Sequence, residues 1–161
     1  MYAITLWEPW ATLLAKGIKQ VETRSWHPHR NMKLPQTILI HAASRPVRRT
    51  ELYAVYQSIG INIPGPGSFP LSAIIGAVNF DNYFLMTEEI IAQTSRVERA
   101  CGLWLPGRWG WNCSNPILFD QPIPCKGQQL FWKPDVEVLS LAESLLRVSY
   151  SNNCAKKYVG E

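Results

Sequence analysis

Two different periodicities meet at Gly17 and divide the start of the chain into a helix and a strand. Before this glycine, Trp10, Leu13 and Leu14 are spaced as on one face of an α-helix. Residues 20–26 instead alternate, so that neighbouring side chains project to opposite sides, as in a β-strand. Because glycine readily takes the left-handed conformation that ends a helix, the sequence predicts a helix up to Gly17 and a strand soon after it.

The predicted strand carries an unusual set of side chains on one side. The alternation places an acid, a base and an indole there: Glu22, Arg24 and Trp26. A carboxylate acceptor, a planar guanidinium group and a stacking surface are groups that a nucleotide needs. The structural alternative is an exposed ion pair beside a core tryptophan. Such a pair contributes less than about 1 kcal/mol, which gives little physical reason for this density of charge.

Short apolar strands alternate with single helices along the rest of the chain. The predicted strands are 3–6, 20–26, 37–42, 73–80, 109–113 and 129–132, and the predicted helices are 46–60 and 87–99. Ser140 and Glu143 form a capping box that predicts a terminal helix, followed by a polar tail from Ser151. The segment 61–72, rich in proline and glycine, is a predicted loop. These elements predict a small mixed α+β domain whose sheet curls towards a barrel.

Basic residues are concentrated in the first third of the chain. Residues 1–50 contain eight Lys or Arg against two acidic residues, a net charge of +6. The remainder contains eight basic and ten acidic residues, a net charge of −2. This asymmetry predicts a positive face that attracts a polyanion, for which nucleic acid is the usual cellular example. A solvated basic surface is the alternative that charge alone leaves open.

Composition predicts one folded domain without a membrane span. The 161 residues are 47% apolar, and no run approaches the roughly 20 apolar residues that a membrane helix needs. The first residues lack the pattern of a signal peptide, so we expect a cytoplasmic location. The cysteines form no CxxC pair, and the HPH motif of His27 and His29 has no acidic or cysteine companion. The sequence therefore predicts no metal site and no cofactor.

Several separated segments resemble the ASCH domain family. The segment LWEPWATLLAKGIKQVETRSW contains that family's GxKxxExR motif at Gly17, Lys19, Glu22 and Arg24. ILIHAAS and GRWGWNCSNPILFDQPIPCKGQQLFW resemble its later segments, in the same order. The resemblance covers roughly residues 2–134 and is far more specific than one short motif. It divides the chain into an ASCH domain, 1–134, and a C-terminal helix with a polar tail, 135–161.

The resemblance implies a fold and a binding activity. The fold is a PUA-like β-barrel flanked by helices, with a cleft between barrel and helix that the motif residues line. The implied partner is RNA or another nucleic acid, and we expect single-stranded RNA or a nucleotide to bind in a basic cleft. The sequence specifies no protein partner. The candidate nucleic-acid-binding residues are Lys19, Glu22, Arg24, Trp26, Trp7, His41 and Arg108. Of these, Trp26 is also a candidate core residue, as is Trp10, and His41 is a candidate hydrogen-bonded core histidine.

Catalysis is the alternative function, with Lys19 and Glu22 as candidate catalytic residues. Some family members resemble amidohydrolases of N4-acetylcytidine, in which a lysine activates a threonine. Here Glu22 occupies the expected threonine position, and Thr23 is expected on the opposite face of the strand. A ribonuclease is the other version, with Lys19 as electrostatic stabiliser and Glu22 as general base on a 2′-hydroxyl.

Overall fold

One curled sheet and its flanking helices form the fold of the computed structural model, which describes residues 1–28 and 32–158. The strands are β1 (Tyr2–Leu6), β2 (Val21–Arg24), β3 (Gln36–Ala42), β4 (Ala73–Leu85), β5 (Trp109–Pro124) and β6 (Phe131–Trp132). The helices are α1 (Trp10–Ala15), α2 (Arg49–Ile59), α3 (Glu88–Gln93), α4 (Arg96–Ala100) and α5 (Val136–Tyr158), with a short 3-10 turn at Pro66–Ser68.

The sheet curls until its two edges approach each other. The strand order is β2-β5-β4-β3-β1-β6, in which β1 and β3 are parallel and the other neighbours are antiparallel. Although β2 and β1 are far apart in this order, Arg24 Nη2 donates a hydrogen bond to the Thr5 carbonyl oxygen over 3.2 Å. The rings of Trp26 and Phe131 also meet, 5.6 Å apart. Side chains thus close a half-barrel, which confirms the predicted α+β class with a curled sheet.

Strands β4 and β5 supply much of the curvature. Their pairing shifts register three times, and such irregularities bend and twist a strand. At the first shift, a Cβ atom on Gly76 would overlap the Ile117 carbonyl oxygen, so only glycine fits there. The sequence predicts shorter strands, 73–80 and 109–113, and the segment after residue 113 contains three prolines, which are unfavourable in a strand. Pairing with β4 holds that segment extended to Pro124.

Glycine ends both α1 and α2, as the sequence predicts. Gly17 and Gly60 have φ angles of +72° and +74°, in the left-handed region that favours glycine. Helix α2 begins at Arg49, later than the predicted residue 46, because the residue before it is still extended. Its predicted apolar stripe is confirmed at Leu52 and Tyr56, which are buried.

Two helix starts differ from the prediction. The predicted helix 87–99 is divided into α3 and α4, because the Ser95 hydroxyl accepts a hydrogen bond from the Glu98 N–H and begins a new helix. The prediction of a capping box at Ser140 is wrong. Asp135 starts α5 instead, since its carboxylate accepts a hydrogen bond from the Val138 N–H at 2.9 Å. Helix α5 continues to Tyr158, so residues 151–158 extend the helix.

Helix α5 packs into the central core. Its residues Val138, Ala142 and Leu146, spaced four apart, are buried against Ala3 of β1 and Ile117 of β5. Helices α1, α2 and α4 share a second cluster. The core therefore includes residues of α5.

None of the helices in the described ranges is both long enough and apolar enough to cross a membrane.

Candidate functional site

A cleft of about 540 Å³ opens beside β2. Its walls come from β2, from the end of β1 and the residues leading into α1, and from the segment that follows α4. The structure brings most of the predicted site residues around this cleft: Trp7, Lys19, Glu22, Arg24, Trp26 and Arg108. His41, the remaining candidate, lies in an adjoining cavity instead. Six side chains from separate parts of the chain therefore share one concave surface.

Lys19 is almost completely buried at the wall of this cleft, with 2% of its surface exposed. The left-handed turn at Gly17 leads the chain from α1 into this position. Its Nζ atom donates to the carbonyl oxygens of Val21, at 2.5 Å, and Cys101, at 2.9 Å. It also lies 3.4 Å from the Oε2 atom of Glu22. Two hydrogen bonds and one ion pair therefore engage the ammonium group within the protein.

Glu22 joins Lys19 to Arg24 in a buried chain of charges. While its Oε2 faces Lys19, its Oε1 lies 2.8 Å from Arg24 Nε. Arg24 is further held by the hydrogen bond from Nη2 to the Thr5 carbonyl oxygen. Arg24 is the member that reaches solvent, since 25% of its side chain is exposed. One carboxylate and two cations together have a net positive charge. The Arg24 guanidinium group is the part of this cluster that is exposed at the cleft.

The tryptophans around the cleft differ in their packing. Trp26 is half-buried and contacts Trp111 edge-on at 4.7 Å and Phe131 at 5.6 Å between ring centroids. Trp10 is also half-buried and packs against the cluster that α1 shares with α2. For both residues these contacts agree with the structural alternative of a core position. Both nevertheless line the cleft with part of their surface.

Trp7 is the exposed tryptophan of the cleft, with 55% of its surface open. The guanidinium group of Arg45 covers its ring at 4.1 Å from the centroid. Arg45 is held there by Glu51 of α2, at 2.6 Å. The sequence does not predict Arg45 or Glu51 as site residues. They are six positions apart, one in a loop and one in a helix, and this spacing is not a recognised pairing pattern. The contact fixes the indole in place and leaves the rest of its surface for a ligand.

Arg108 lies at the wall formed by the segment after α4. Its Nε donates to the Leu103 carbonyl oxygen at 3.1 Å, and its Nη2 donates to the Thr23 carbonyl oxygen at 3.4 Å. The Thr23 hydroxyl in turn accepts a hydrogen bond from the Leu103 N–H at 3.1 Å. These bonds fasten the segment to β2 and place a second cation beside the cleft.

Helix α4 covers the free edge of β2, a role that the sequence does not predict. The Glu98 carboxylate accepts hydrogen bonds from the backbone N–H groups of Gln20, at 2.5 Å, and Val21, at 3.2 Å. The Trp104 indole N–H donates to the Glu98 carbonyl oxygen at 2.8 Å. The cleft wall is thus fixed by contacts between segments about 78 residues apart, which no local pattern reveals.

His41 is buried in β3, with 1% of its surface exposed, as the core alternative predicts. Its Nε2 atom lies 3.1 Å from the Cys125 carbonyl oxygen, and its ring meets Trp132 edge-on. Burial lowers the pKa of this histidine, since an imidazolium ion loses solvation there. His41 lines a cavity of about 750 Å³ that shares Trp7, Arg24 and other wall residues with the cleft.

Cys101, which lines the cleft, and His27 are held by burial and by packing. Burial raises the pKa of the Cys101 thiol, so this residue is a poor nucleophile. His27 packs edge-on against Tyr83 and Trp109, whereas His29 of the HPH motif lies outside the described residues. Within residues 1–28 and 32–158, no three His, Cys, Asp or Glu side chains form a group that could hold a metal ion.

Solved structures of ASCH proteins have the same fold. The ASCH structure from Zymomonas mobilis superimposes with a TM-score of 0.58 at 17% identity, covering 89% of this chain and 94% of that one. A mutant of the Zymomonas mobilis protein gives 0.55 at 15% identity, over 89% and 96% of the two chains. At these identities the likeness concerns the fold alone. It confirms the predicted α+β fold with a curled sheet.

A family model identifies the family, and two curated relatives are similar to most of this chain. The chain is 28% identical over 142 residues to human Activating signal cointegrator 1, and 27% identical over 144 residues to the Mus musculus protein of that name. Each match covers 85% of this chain but 23% of the relative, so the chain spans less than a quarter of those proteins. The family model of the ASCH domain matches residues 4–122. This chain belongs to the ASCH domain family.

Proposed function

We propose that the cleft binds single-stranded RNA and holds one nucleotide between Arg24 and Trp7. The observation that carries this proposal is the fixed position of Arg24. The Glu22 carboxylate pairs with its Nε at 2.8 Å without a hydrogen bond of regular geometry, and the Thr5 carbonyl oxygen accepts a hydrogen bond from its Nη2. A quarter of the Arg24 side chain is exposed, and it lines the cleft, so the guanidinium group is accessible to an anion.

A guanidinium group held in this way suits a phosphate. Its planar fork matches phosphate oxygens, and prior ordering of the side chain reduces the entropy that binding costs. Arg108 adds a second positive charge at the same cleft, whereas Glu22 is already neutralised by two cations. The concentration of basic residues in the first third of the chain agrees with a polyanionic ligand.

Trp7 supplies the stacking surface that a base requires. Arg45 fixes the indole from one side, and more than half of the residue stays exposed. Stacking of an unpaired base on an aromatic side chain contributes about 1–3 kcal/mol and tolerates any base. A duplex hides the faces of its bases, so this arrangement favours a single strand.

The contacts of Lys19 favour binding over hydrolysis. The Lys19 ammonium group is buried, donates to two carbonyl oxygens and is paired with a carboxylate, so it is poorly placed to act on a substrate. The Thr23 hydroxyl is bonded to the Leu103 N–H, and Lys19 contacts other groups. Glu22 is held between two cations, an arrangement that suits an orienting acceptor better than a general base.

The test is the affinity for a labelled eight-nucleotide single-stranded RNA, measured by fluorescence anisotropy at several salt concentrations. We expect Arg24→Ala to weaken binding about tenfold and to reduce the slope of log affinity against log salt by about 0.7. Arg24→Lys keeps the charge but loses the fork, so it should weaken binding and retain the slope.

Arg147→Ala is the matched control, because Arg147 is an exposed arginine of α5, outside both cavities. It should change the affinity by less than about twofold, as surface substitutions away from a site do. Equal losses for Arg24→Ala and Arg147→Ala, or an affinity independent of salt, would overturn the proposal.

A further inference from the structure

The cleft and the cavity beside it share one wall. The cleft has a volume of about 540 Å³ and the second cavity about 750 Å³. Both are lined by Thr5, Trp7, Arg24 and Trp26. We propose that the second cavity receives the next nucleotide of the same RNA strand, so that the site takes a dinucleotide step with its linking phosphate at Arg24. This inference rests on the proposed function of the cleft.

The charges around the two cavities match the order of groups in a dinucleotide. Arg24 is the charged residue of the shared wall, where the phosphate between two nucleosides would lie. Arg108 borders the cleft alone, and Lys126 borders the second cavity alone. Each flanking phosphate of the strand would therefore have a cation of its own. Because Trp7 and Trp26 border both cavities, the two bases would separate around an aromatic wall.

His41 gives the second cavity an unmet acceptor. A carbonyl oxygen only accepts, so His41 Nε2 must carry the proton that faces Cys125. The other ring nitrogen, Nδ1, is then an acceptor, and among the described residues it is buried without a partner. A buried polar atom without a partner is costly, so a donor there is stabilising. A base amino group or a ribose 2′-hydroxyl is such a donor.

Access to His41 depends on the segment that covers it. A Cβ atom on Gly127 would overlap His41 Cε1 and Nδ1, so the backbone of this glycine lies close to that edge of the ring. The neighbouring residues Lys126 and Gln128 are exposed. A ligand that reaches Nδ1 must displace this segment.

The experiment compares AMP with the dinucleotide pApA by competition against labelled RNA. A third probe has the same length as pApA but lacks the second base. We expect pApA to bind about tenfold more tightly than AMP, because a second base gains its own contacts. The abasic probe should lose most of that gain. If pApA binds no more tightly than AMP, or no more tightly than the abasic probe, the second nucleotide has no site and the inference is overturned.

Ser44→Trp tests whether the gain arises in the second cavity. Ser44 is exposed and borders that cavity but not the cleft, so an indole there should fill it without disturbing the core. The ratio of pApA to AMP affinity should fall towards one, with AMP binding unchanged. Ser140→Trp, at an exposed position of α5, should leave the ratio unchanged. An unchanged ratio in Ser44→Trp overturns the inference while the cleft proposal stands. If neither AMP nor pApA competes and Arg24→Ala binds RNA normally, the cleft proposal itself fails.

Discussion

At the scale of single residues, Lys19 orders the candidate site without facing a ligand. Its ammonium group is buried, and the desolvation that this costs is offset by two carbonyl oxygens and the Glu22 carboxylate. Glu22 then orients Arg24, which carries the positive charge to the cleft. The three charges of the motif therefore have different roles, and the buried lysine has a structural one.

Replacing Lys19 should destabilise the protein strongly. Lys19→Met removes one cation and leaves Glu22 buried beside Arg24 alone, a change that typically costs about 3–5 kcal/mol. Urea unfolding measures the loss. A loss below about 1 kcal/mol for Lys19→Met would contradict the buried network.

At the scale of elements, helix α1 begins with a buried carboxyl group. The Glu8 side chain accepts hydrogen bonds from the Thr12 N–H at 3.0 Å and the Thr12 hydroxyl at 2.8 Å. These bonds satisfy groups that the first turn of a helix leaves open. Burial raises the pKa of Glu8 to about 7, and the bonds from Thr12 and the charge of Lys16 oppose that rise. The start of this helix therefore titrates near neutral pH.

The free energy of unfolding should depend on pH through Glu8. The folded protein keeps the proton up to about pH 7, whereas the unfolded chain releases it near pH 4.5. Between these values the folded state binds more protons, so stability falls as the pH rises, by up to about 3 kcal/mol. Urea unfolding at pH 5 and pH 8 checks this. The loss should be larger in the wild type than in Glu8→Gln, and the contributions of other groups cancel in that comparison. Equal losses in both proteins would show that Glu8 does not titrate in this range.

At the scale of the whole molecule, the half-barrel and helix α5 form one core. The family match ends at residue 122, but Val138, Ala142 and Leu146 of α5 pack on residues of β1 and β5. The curled sheet is closed by side chains, through Arg24 to Thr5 and Trp26 to Phe131. The same closure brings the cleft and the second cavity to one wall. Stability and the candidate site thus depend on one tertiary arrangement.

Truncation of a buried leucine in α5 should therefore destabilise the whole domain. Leu146→Ala removes a side chain from the central core and should cost about 2–5 kcal/mol. Leu141 of the same helix is 56% exposed, so Leu141→Ala should cost less than about 0.5 kcal/mol. Thermal and urea unfolding of the two variants measures this difference. If both substitutions have the same small effect, α5 is not part of the core.

The sequence predicts the elements with strong local signals and misses those held by partners. Gly17 and Gly60 end their helices as predicted, because a left-handed glycine is a property of the local chain. The prediction of a capping box at Ser140 fails because Asp135 offers a carboxylate at an earlier start. Strand β5 is underpredicted, since its second half is extended only through pairing with β4.

For the site, the sequence by itself determined which residues cluster: the alternation of residues 20–26 and the motif around Lys19 place the three charges together. It also determined the family. Only the tertiary structure decided that Lys19 is buried, since its acceptor on Cys101 lies 82 residues away. It also decided that Arg45 fixes Trp7 and that two cavities share a wall. The physical reason is that periodicity reports the local backbone, whereas burial and partners depend on how the sheet curls.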